Sequence, residues 1–294
     1  SELADSLKEY LVDLRARSVQ QIEQGTVRDS QERFADVLLN QNRCDLKIPL
    51  GPAPVNTAMN HLLNKTCLRD LFQCVFDKYG ADGGSSHGSG QFSTLYELNC
   101  FMSNTGARRQ LVHSDNACVE ESSSASSLLH PQEPIMLTCF IALQDTDETM
   151  GPTTWIPRTH NIESHHQFYE VGEYANNNNN DNNNESPKDH LLRTSKSVTG
   201  TLPKGACVVF DPRVLHCAGA NHCQDPDMTR AMFYISFKNP RVDDPGCPSC
   251  SGYGIANAEL PMRTLCEELK AQFSFSNGGP PPPTPRLDLL ACFP

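Results

Sequence analysis

Leu202-Pro203-Lys204-Gly205-Ala206-Cys207-Val208-Val209-Phe210-Asp211, followed after Pro212 by Arg213-Val214-Leu215-His216, is the stretch on which the reading of this chain turns. Gly205 punctuates the start of a short apolar, β-branched run, a second turn follows, and the chain then delivers a histidine at the head of another extended segment. The same rhythm of short strands between turn residues marks Phe92–Met102, Ile135–Leu143, Thr153–Ile156 and Ala231–Phe237. Upstream the period changes. Leu3, Leu7, Tyr10, Leu11 and Leu14 recur at helical spacing, and Asp29 with Glu32 resembles a capping box opening a short helix through Phe34, Val37 and Leu38. Asn56 to Tyr79 predicts one further helix stopped by Gly80. Helices first and strands afterwards predict a mainly β fold with flanking helices, an antiparallel sandwich or barrel rather than alternating βαβ units.

Composition narrows the function classes. The 294 residues carry 24 Lys plus Arg against 35 Asp plus Glu, a net charge of −11, which argues against the broad basic footprint that nucleic acid requires. No stretch approaches the roughly 20 apolar residues of a membrane span. Thirteen cysteines are an odd number, so reduced thiols in an intracellular, cytoplasmic protein are the simpler expectation. The chain begins at Ser1 rather than Met, which leaves room for a removed targeting peptide. An Asn-rich tract at 176–184 reads as a disordered insertion near 172–190, and Pro280 to Pro285 as a stiff extended tail.

The chemistry begins at His113-Ser114-Asp115. Two side chains separated by one residue at a strand end project toward one point, and imidazole with carboxylate suits a divalent transition metal. Alone the pair is weak, since ten histidines and nineteen aspartates give roughly 0.65 such pairs by chance. His216 raises its weight. Two His and one carboxylate form the facial triad of non-haem Fe(II) oxygenases, which leaves coordination positions for a bidentate 2-oxo acid and O₂. A guanidinium such as Arg230 suits a distal carboxylate.

His113-x-Asp115, the block Cys139 to Pro152, Ile156-Pro157-Arg158-Thr159-His160, then Gly205 to His216 and Arg230 together resemble the phytanoyl-CoA dioxygenase family of Fe(II)/2-oxoglutarate oxygenases, in the family's order over residues 91 to 240. The resemblance implies a double-stranded β-helix, or jelly roll, across 91–240, with helices of 1–90 packed on it and 241–294 adding a helix and the Pro-rich tail within one structural domain. It implies His113, Asp115 and His216 as iron ligands, Arg230 as anchor of the 2-oxoglutarate carboxylate, and Thr138 and Phe140 as further co-substrate contacts. The family usually carries Gly-Ser/Thr-His where this chain has Arg158-Thr159-His160. The implied reaction consumes 2-oxoglutarate and O₂, releases succinate and CO₂, and oxidises an unactivated C–H bond by hydroxylation, desaturation or cyclisation. Related halogenases lack the carboxylate ligand, so Asp115 argues against halogenation.

Substrate remains open at this level. The acidic balance and lack of a basic cluster favour a small metabolite over an acyl-CoA, and the expectation is an amino-acid-derived carboxylate of specialised biosynthesis held by Arg108 or Arg109. A non-catalytic jelly-roll scaffold and a protein side-chain hydroxylase stand as alternatives. His222 rivals His216 but sits in a Cys/Asp-rich turn. His160, His165, His166 and His190 read as ordinary loop histidines, Cys247 and Cys250 as two loop thiols, and Trp155 as a core anchor.

Overall fold

A computed structural model describes residues 2–35, 42–79, 92–118, 133–169, 185–225, 228–242 and 260–274. The Asn-rich tract, the Pro-rich tail, the Gly/Ser stretch at 80–90, Val37, Leu38 and the Cys247/Cys250 pair lie outside these residues. Among the described residues no helix is long and apolar enough to cross a membrane.

Two antiparallel sheets carry the structure. The larger runs in the order β1 (Arg43–Lys47), β2 (Thr94–Ser103), β8 (Arg230–Lys238), β3 (Met136–Ala142) and β6 (Cys207–Phe210), with β9 (Leu260–Pro261) on the other side of β2's first residues. The smaller orders β5 (Val198–Thr199), β4 (Thr153–Trp155) and β7 (His216–Ala218). Ala218 of the small sheet packs with Phe101, Ala142, Met232 and Tyr234, and Trp155 with Phe210, so the two sheets close over one shared interior. This is the jelly-roll arrangement of a mainly β fold with flanking helices.

Alternation along β8 shows how the sequence builds it. Ala231, Phe233, Ile235 and Phe237 face outward into a core shared with α1 (Glu2–Glu23), α2 (Ala53–Asn64), α3 (Leu68–Tyr79) and α6 (Met262–Ser274). Their neighbours Arg230, Met232, Tyr234 and Ser236 face the interior. All nine residues of β8 are buried because helices cover one face and the small sheet the other. Leu7, Leu11, Met59, Leu63, Phe72, Phe76, Leu265 and Leu269 supply the helical half of that core, each worth about 1.5–3 kcal/mol on full burial.

The strands fall where their alternation places them, with ends shifted by one or two residues. The helical reading needed revision in three places. The run from Asn56 to Tyr79 is two helices: Lys65 ends α2, and the Thr66 hydroxyl accepts the Leu68 N–H at 3.1 Å to start α3. Asp29 does cap, accepting the Gln31 N–H, and Glu32 reaches back to the Arg28 N–H, but the result is a single 3-10 turn at Ser30–Glu32, after which Phe34 bridges Leu46. Arg43–Lys47 is a strand inside the otherwise helical first quarter. Residues 187–190, counted with the Asn-rich insertion, open α5 (Pro187–Thr194), because Ser186 caps the Asp189 N–H and Pro187 fits the first turn.

Phe237 is fully buried, with its ring centroid 5.3 Å from that of Phe72 across the sheet–helix interface. Phe237→Ala is expected to lower unfolding free energy by about 3–5 kcal/mol in urea denaturation, with little change in the denaturant slope.

Candidate metal centre

His113 and His216 face each other across a two-bond backbone bridge, His113 N–H to the His216 carbonyl at 2.9 Å and His216 N–H to the His113 carbonyl at 2.7 Å. Their ring centroids lie 4.6 Å apart. In each residue Nδ1 meets the carbonyl two positions earlier, Leu111 and Val214, at 2.8 Å. A carbonyl only accepts, so Nδ1 carries the proton in both rings, and both Nε2 lone pairs point the other way. Asp115 completes the group: its Oδ1 is 3.5 Å from His113 Nε2 and its Oδ2 3.4 Å from His216 Nε2. All three ligand atoms fall within 4.8 Å of one another, the one such cluster among the described residues.

The electrostatics agree with that arrangement. Burial lowers the His216 imidazole pKa, and the Asp115 charge only partly restores it. Burial also acts to lower His113, but the hydrogen bond and charge of Asp115 outweigh it and hold His113 above its usual value. For Asp115 burial acts upward, and the charges of His216 and His113 bring the carboxyl below its usual range. Two imidazole lone pairs and a carboxylate converging with their N–H donors spent elsewhere are stable only around a proton or a cation, and this donor set fits a divalent transition metal.

The loops that present these groups are fixed locally. Asp115 N–H donates to the Pro212 carbonyl, and Leu215 N–H to Thr159 Oγ1 at 2.9 Å, while that hydroxyl donates to the Ile156 carbonyl. Thr159 therefore performs a positioning task one residue before His216. Arg158, just ahead, has φ of +70°, a left-handed conformation that glycine adopts freely. The chain thus keeps the turn while carrying a side chain that disfavours it.

Arg230 lies at the start of β8, opposite Ser103, and is fully buried. Its Nη1 donates to the Gly151 carbonyl, while Nε and Nη2 have no partner. Burial presses its pKa down to about 9, helped by the nearby charge of Arg43. Gly151 is held at φ of +65°, and a Cβ there would come within 2.5 Å of the Gly219 and Ala220 carbonyl oxygens. Arg43, from β1, is a group that motif reading missed. Its guanidinium carbon stands 5.4 Å from the Phe101 ring centroid and that of Arg230 5.7 Å, its Nη2 donates to the Arg108 and Gly219 carbonyls, and its Nη1 has no partner. The polar/apolar alternation of Arg43-Cys44-Asp45-Leu46-Lys47 is the signal that would have exposed it.

Thr138 and Phe140 both sit on the inner side of β3. Thr138 Oγ1 is hydrogen-bonded with Ser236 Oγ at 2.9 Å, and Phe140 packs edge-on to Phe210 at 5.0 Å and beside Tyr234 and Trp155. Trp155 is buried in this aromatic group. Asp45 Oδ2 accepts from the Tyr234 hydroxyl at 2.7 Å, and burial raises its pKa to about 6 despite that bond.

Arg108 is exposed and offers its carbonyl to Arg43. Arg109 points its Nη2 at Cys217 Sγ, 3.6 Å away, and lines a cavity of about 180 Å³ beside His216 together with Val112, Thr154, Ile156 and Leu192. His222 is exposed and outside the triad, and His190 pairs with Glu185. His165 is buried, unlike the loop histidine expected from sequence. The described cysteines are free thiols.

The sequence profile of the phytanoyl-CoA dioxygenase (PhyH) family matches residues 15–230. Among solved structures, AviO1 from Streptomyces viridochromogenes Tue57 is 16% identical, with a TM-score of 0.46 over 85% of this chain and 88% of that one. EctD from S. alaskensis, solved with 2-oxoglutarate and 5-hydroxyectoine, is 12% identical, with a TM-score of 0.47 over 88% and 78%. HygX from Streptomyces hygroscopicus, solved with nickel, 2-oxoglutarate and hygromycin B, is 12% identical, with a TM-score of 0.44 over 80% and 78%. No curated protein sequence matches the chain.

Two outcomes follow for the metal-free protein. Arg158→Gly relieves the left-handed strain at some cost in chain entropy, and a net gain of about 0.5–1 kcal/mol is expected by thermal denaturation. Asp45 has a folded-state pKa of about 6 against an ordinary 3.8, so the folded state holds the extra proton and stability is lost as pH rises through that window. Asp45→Asn is expected to flatten the stability profile between those values and to gain on the order of 2–3 kcal/mol at pH 7.5.

Proposed function

The chain belongs to the phytanoyl-CoA dioxygenase family of Fe(II)/2-oxoglutarate-dependent oxygenases, and from that premise we propose that His113, Asp115 and His216 hold Fe(II) while Arg230 anchors 2-oxoglutarate for oxidation of a small, carboxylate-bearing metabolite. The observation that carries this reading is the convergence of two Nε2 lone pairs and one carboxylate, with both Nδ1 protons committed to backbone carbonyls. When bound, iron with 2-oxoglutarate supplies the oxidising power, coupling O₂ reduction and decarboxylation to succinate and CO₂ with attack on an unactivated C–H bond.

The protein's share is binding, orientation and exclusion of water. The free Nε and Nη2 of Arg230 form the fork that a carboxylate accepts, with Phe101 beneath it and the free Nη1 of Arg43 adding a third donor. Phe140 packs in the same apolar group as Phe101 and contributes surface that excludes water, while Thr138, opposite Ser236 and six residues along β8 from Arg230, serves further along the interior. Gly151 keeps its carbonyl on Arg230 Nη1, which fixes the guanidinium plane. The Leu111 and Val214 carbonyls hold the Nδ1 proton of both imidazoles, so each ring presents Nε2 rather than Nδ1 to a metal.

Arg109 and the small cavity beside His216 support a compact anionic substrate, with Val112, Ile156 and Leu192 packing its hydrocarbon part. Arg108, exposed like Arg109 but not lining the cavity, serves only at the mouth. Hydroxylation, desaturation and cyclisation share these requirements and differ in how the substrate carbon is placed.

The test is anaerobic reconstitution with Fe(II), then O₂ and 2-oxoglutarate with a panel of small carboxylates and their methyl esters, reading succinate and oxidised product. His113→Ala, Asp115→Ala and His216→Ala are expected to reduce succinate to background. Arg230→Leu is expected to raise the KM for 2-oxoglutarate at least tenfold, the loss of about 1.4 kcal/mol or more of charge-assisted hydrogen bonding. Arg109→Gln is expected to raise substrate KM and erase the preference for acid over ester. No succinate from folded, iron-loaded protein under any condition would overturn the reading.

A further inference from the structure

Asp115 and His216 reach the triad from different loops, and the backbone that carries them is tied together by one short helix. On α4 (Ile162–Tyr169), His165 and Tyr169 are one turn apart, with ring centroids separated by 5.6 Å. His165 is 4% exposed although imidazole is polar, so its ring nitrogens need partners, and both have them. Nε2 meets the Arg213 carbonyl at 2.8 Å, and Nδ1 meets the Cys118 N–H at 3.2 Å. Nε2 therefore donates and Nδ1 accepts, which only the neutral Nε2–H tautomer can do. Burial favours the neutral form by lowering the pKa. Cys118 lies three residues beyond Asp115, and Arg213 three residues before His216. Tyr169 takes the segment between: its hydroxyl accepts the Ser114 N–H at 2.9 Å and lies 3.0 Å from Ser114 Oγ. Ser114 stands between the two ligands of the first loop. Phe168, next to Tyr169, packs in an apolar group with Leu215, the neighbour of His216.

We infer that His165 and Tyr169 are positioning residues that hold the two ligand-bearing loops, 113–118 and 211–216, at the separation a metal ion requires. The inference rests on the metal-centre reading above. It adds that the register between the loops is set from outside the triad, by a donor and an acceptor on one ring. Direct ties at Asp115 N–H to Pro212 and at the His113–His216 bridge orient the ligands; α4 fixes where the two loops stop relative to each other.

The experiment uses the full chain, purified metal-free and titrated anaerobically with Fe(II), and in parallel with Co(II) for its visible bands. Thermal midpoint and amide hydrogen exchange are recorded on the same metal-free samples. His165→Phe keeps a planar ring and loses both bonds; metal affinity is expected to fall on the order of tenfold, with faster exchange across 113–118 and altered Co(II) bands. Tyr169→Phe removes one hydroxyl and is expected to weaken the metal severalfold. His165→Asn places an acceptor near the Nδ1 position and His165→Gln a donor near Nε2, and each is expected to recover part of the affinity. Unchanged affinity in both Phe variants overturns the inference. So does a loss of affinity that follows the thermal midpoint downward and is recovered by neither Asn nor Gln, because that is a purely structural role. Should His165→Phe fail to fold, Tyr169→Phe decides alone. A wild-type protein that binds neither ion overturns the metal-centre reading and this inference with it, whereas full binding by the variants overturns only the inference.

Discussion

The reciprocal hydrogen bonds between the His113 and His216 backbones are the constraint from which the site is built. A bridge of this kind holds the two residues directly opposite, with side chains on the same side of the pairing, so the imidazoles must share one space. Once they do, their Nδ1 protons find the carbonyls two residues upstream, and Nε2 is left facing inward in both. Asp115, two positions past His113 in the bend that follows, is brought in by its N–H bond to the Pro212 carbonyl. Little else in the sequence could use such a convergence, since it places three lone-pair donors together at a cost that a cation removes.

The large sheet serves two opposed environments. Its outer face is continuous hydrocarbon against four helices, which is where most of the stabilisation lies. Its inner face is polar yet just as buried: Arg43, Asp45, Asn99, Tyr234, Ser236 and Arg230 are all shielded from solvent. Burying two guanidiniums whose free N–H groups have no acceptor is unfavourable by several kcal/mol relative to an apolar interior. Helices that do no chemistry therefore supply the stability that the interior gives up. One long helix and three shorter ones cover that outer face.

Alternation made the strands legible, because its period is short and rigid, while the candidate triad was legible through the resemblance to a family's motif order. His113-x-Asp115 and the Gly205-to-His216 run could be read without knowing how the chain folds around them. What escaped reading depended on partners distant in sequence. Arg43 is 70 residues from His113, and nothing in its neighbourhood distinguishes a cation aimed into a barrel from one in water. The break between α2 and α3 turns on one hydroxyl, that of Thr66, competing locally with the helix. His165 resembled any loop histidine until both of its ring nitrogens were seen to be engaged by opposite loops. Arg158 shows the converse: the residue type argued against the turn, and the backbone adopted it anyway because Thr159 and the following residues require the chain to leave in that direction.

The charge of the whole molecule sharpens what the interior selects. The chain carries a net charge of −11, yet the two interior guanidiniums, Arg43 and Arg230, have no carboxylate paired with them among the described residues. A net charge of this sign repels a polyanion overall before any of its charges reaches the buried Arg230. A small dicarboxylate faces the opposite balance. Screened beyond about 8 Å at physiological salt, it feels little of the surface charge until it is at the mouth, and inside it meets donors that are already dehydrated and already aimed. Under the proposed function, buried arginines inside an acidic chain would favour a small anion that can be buried beside them over a large one.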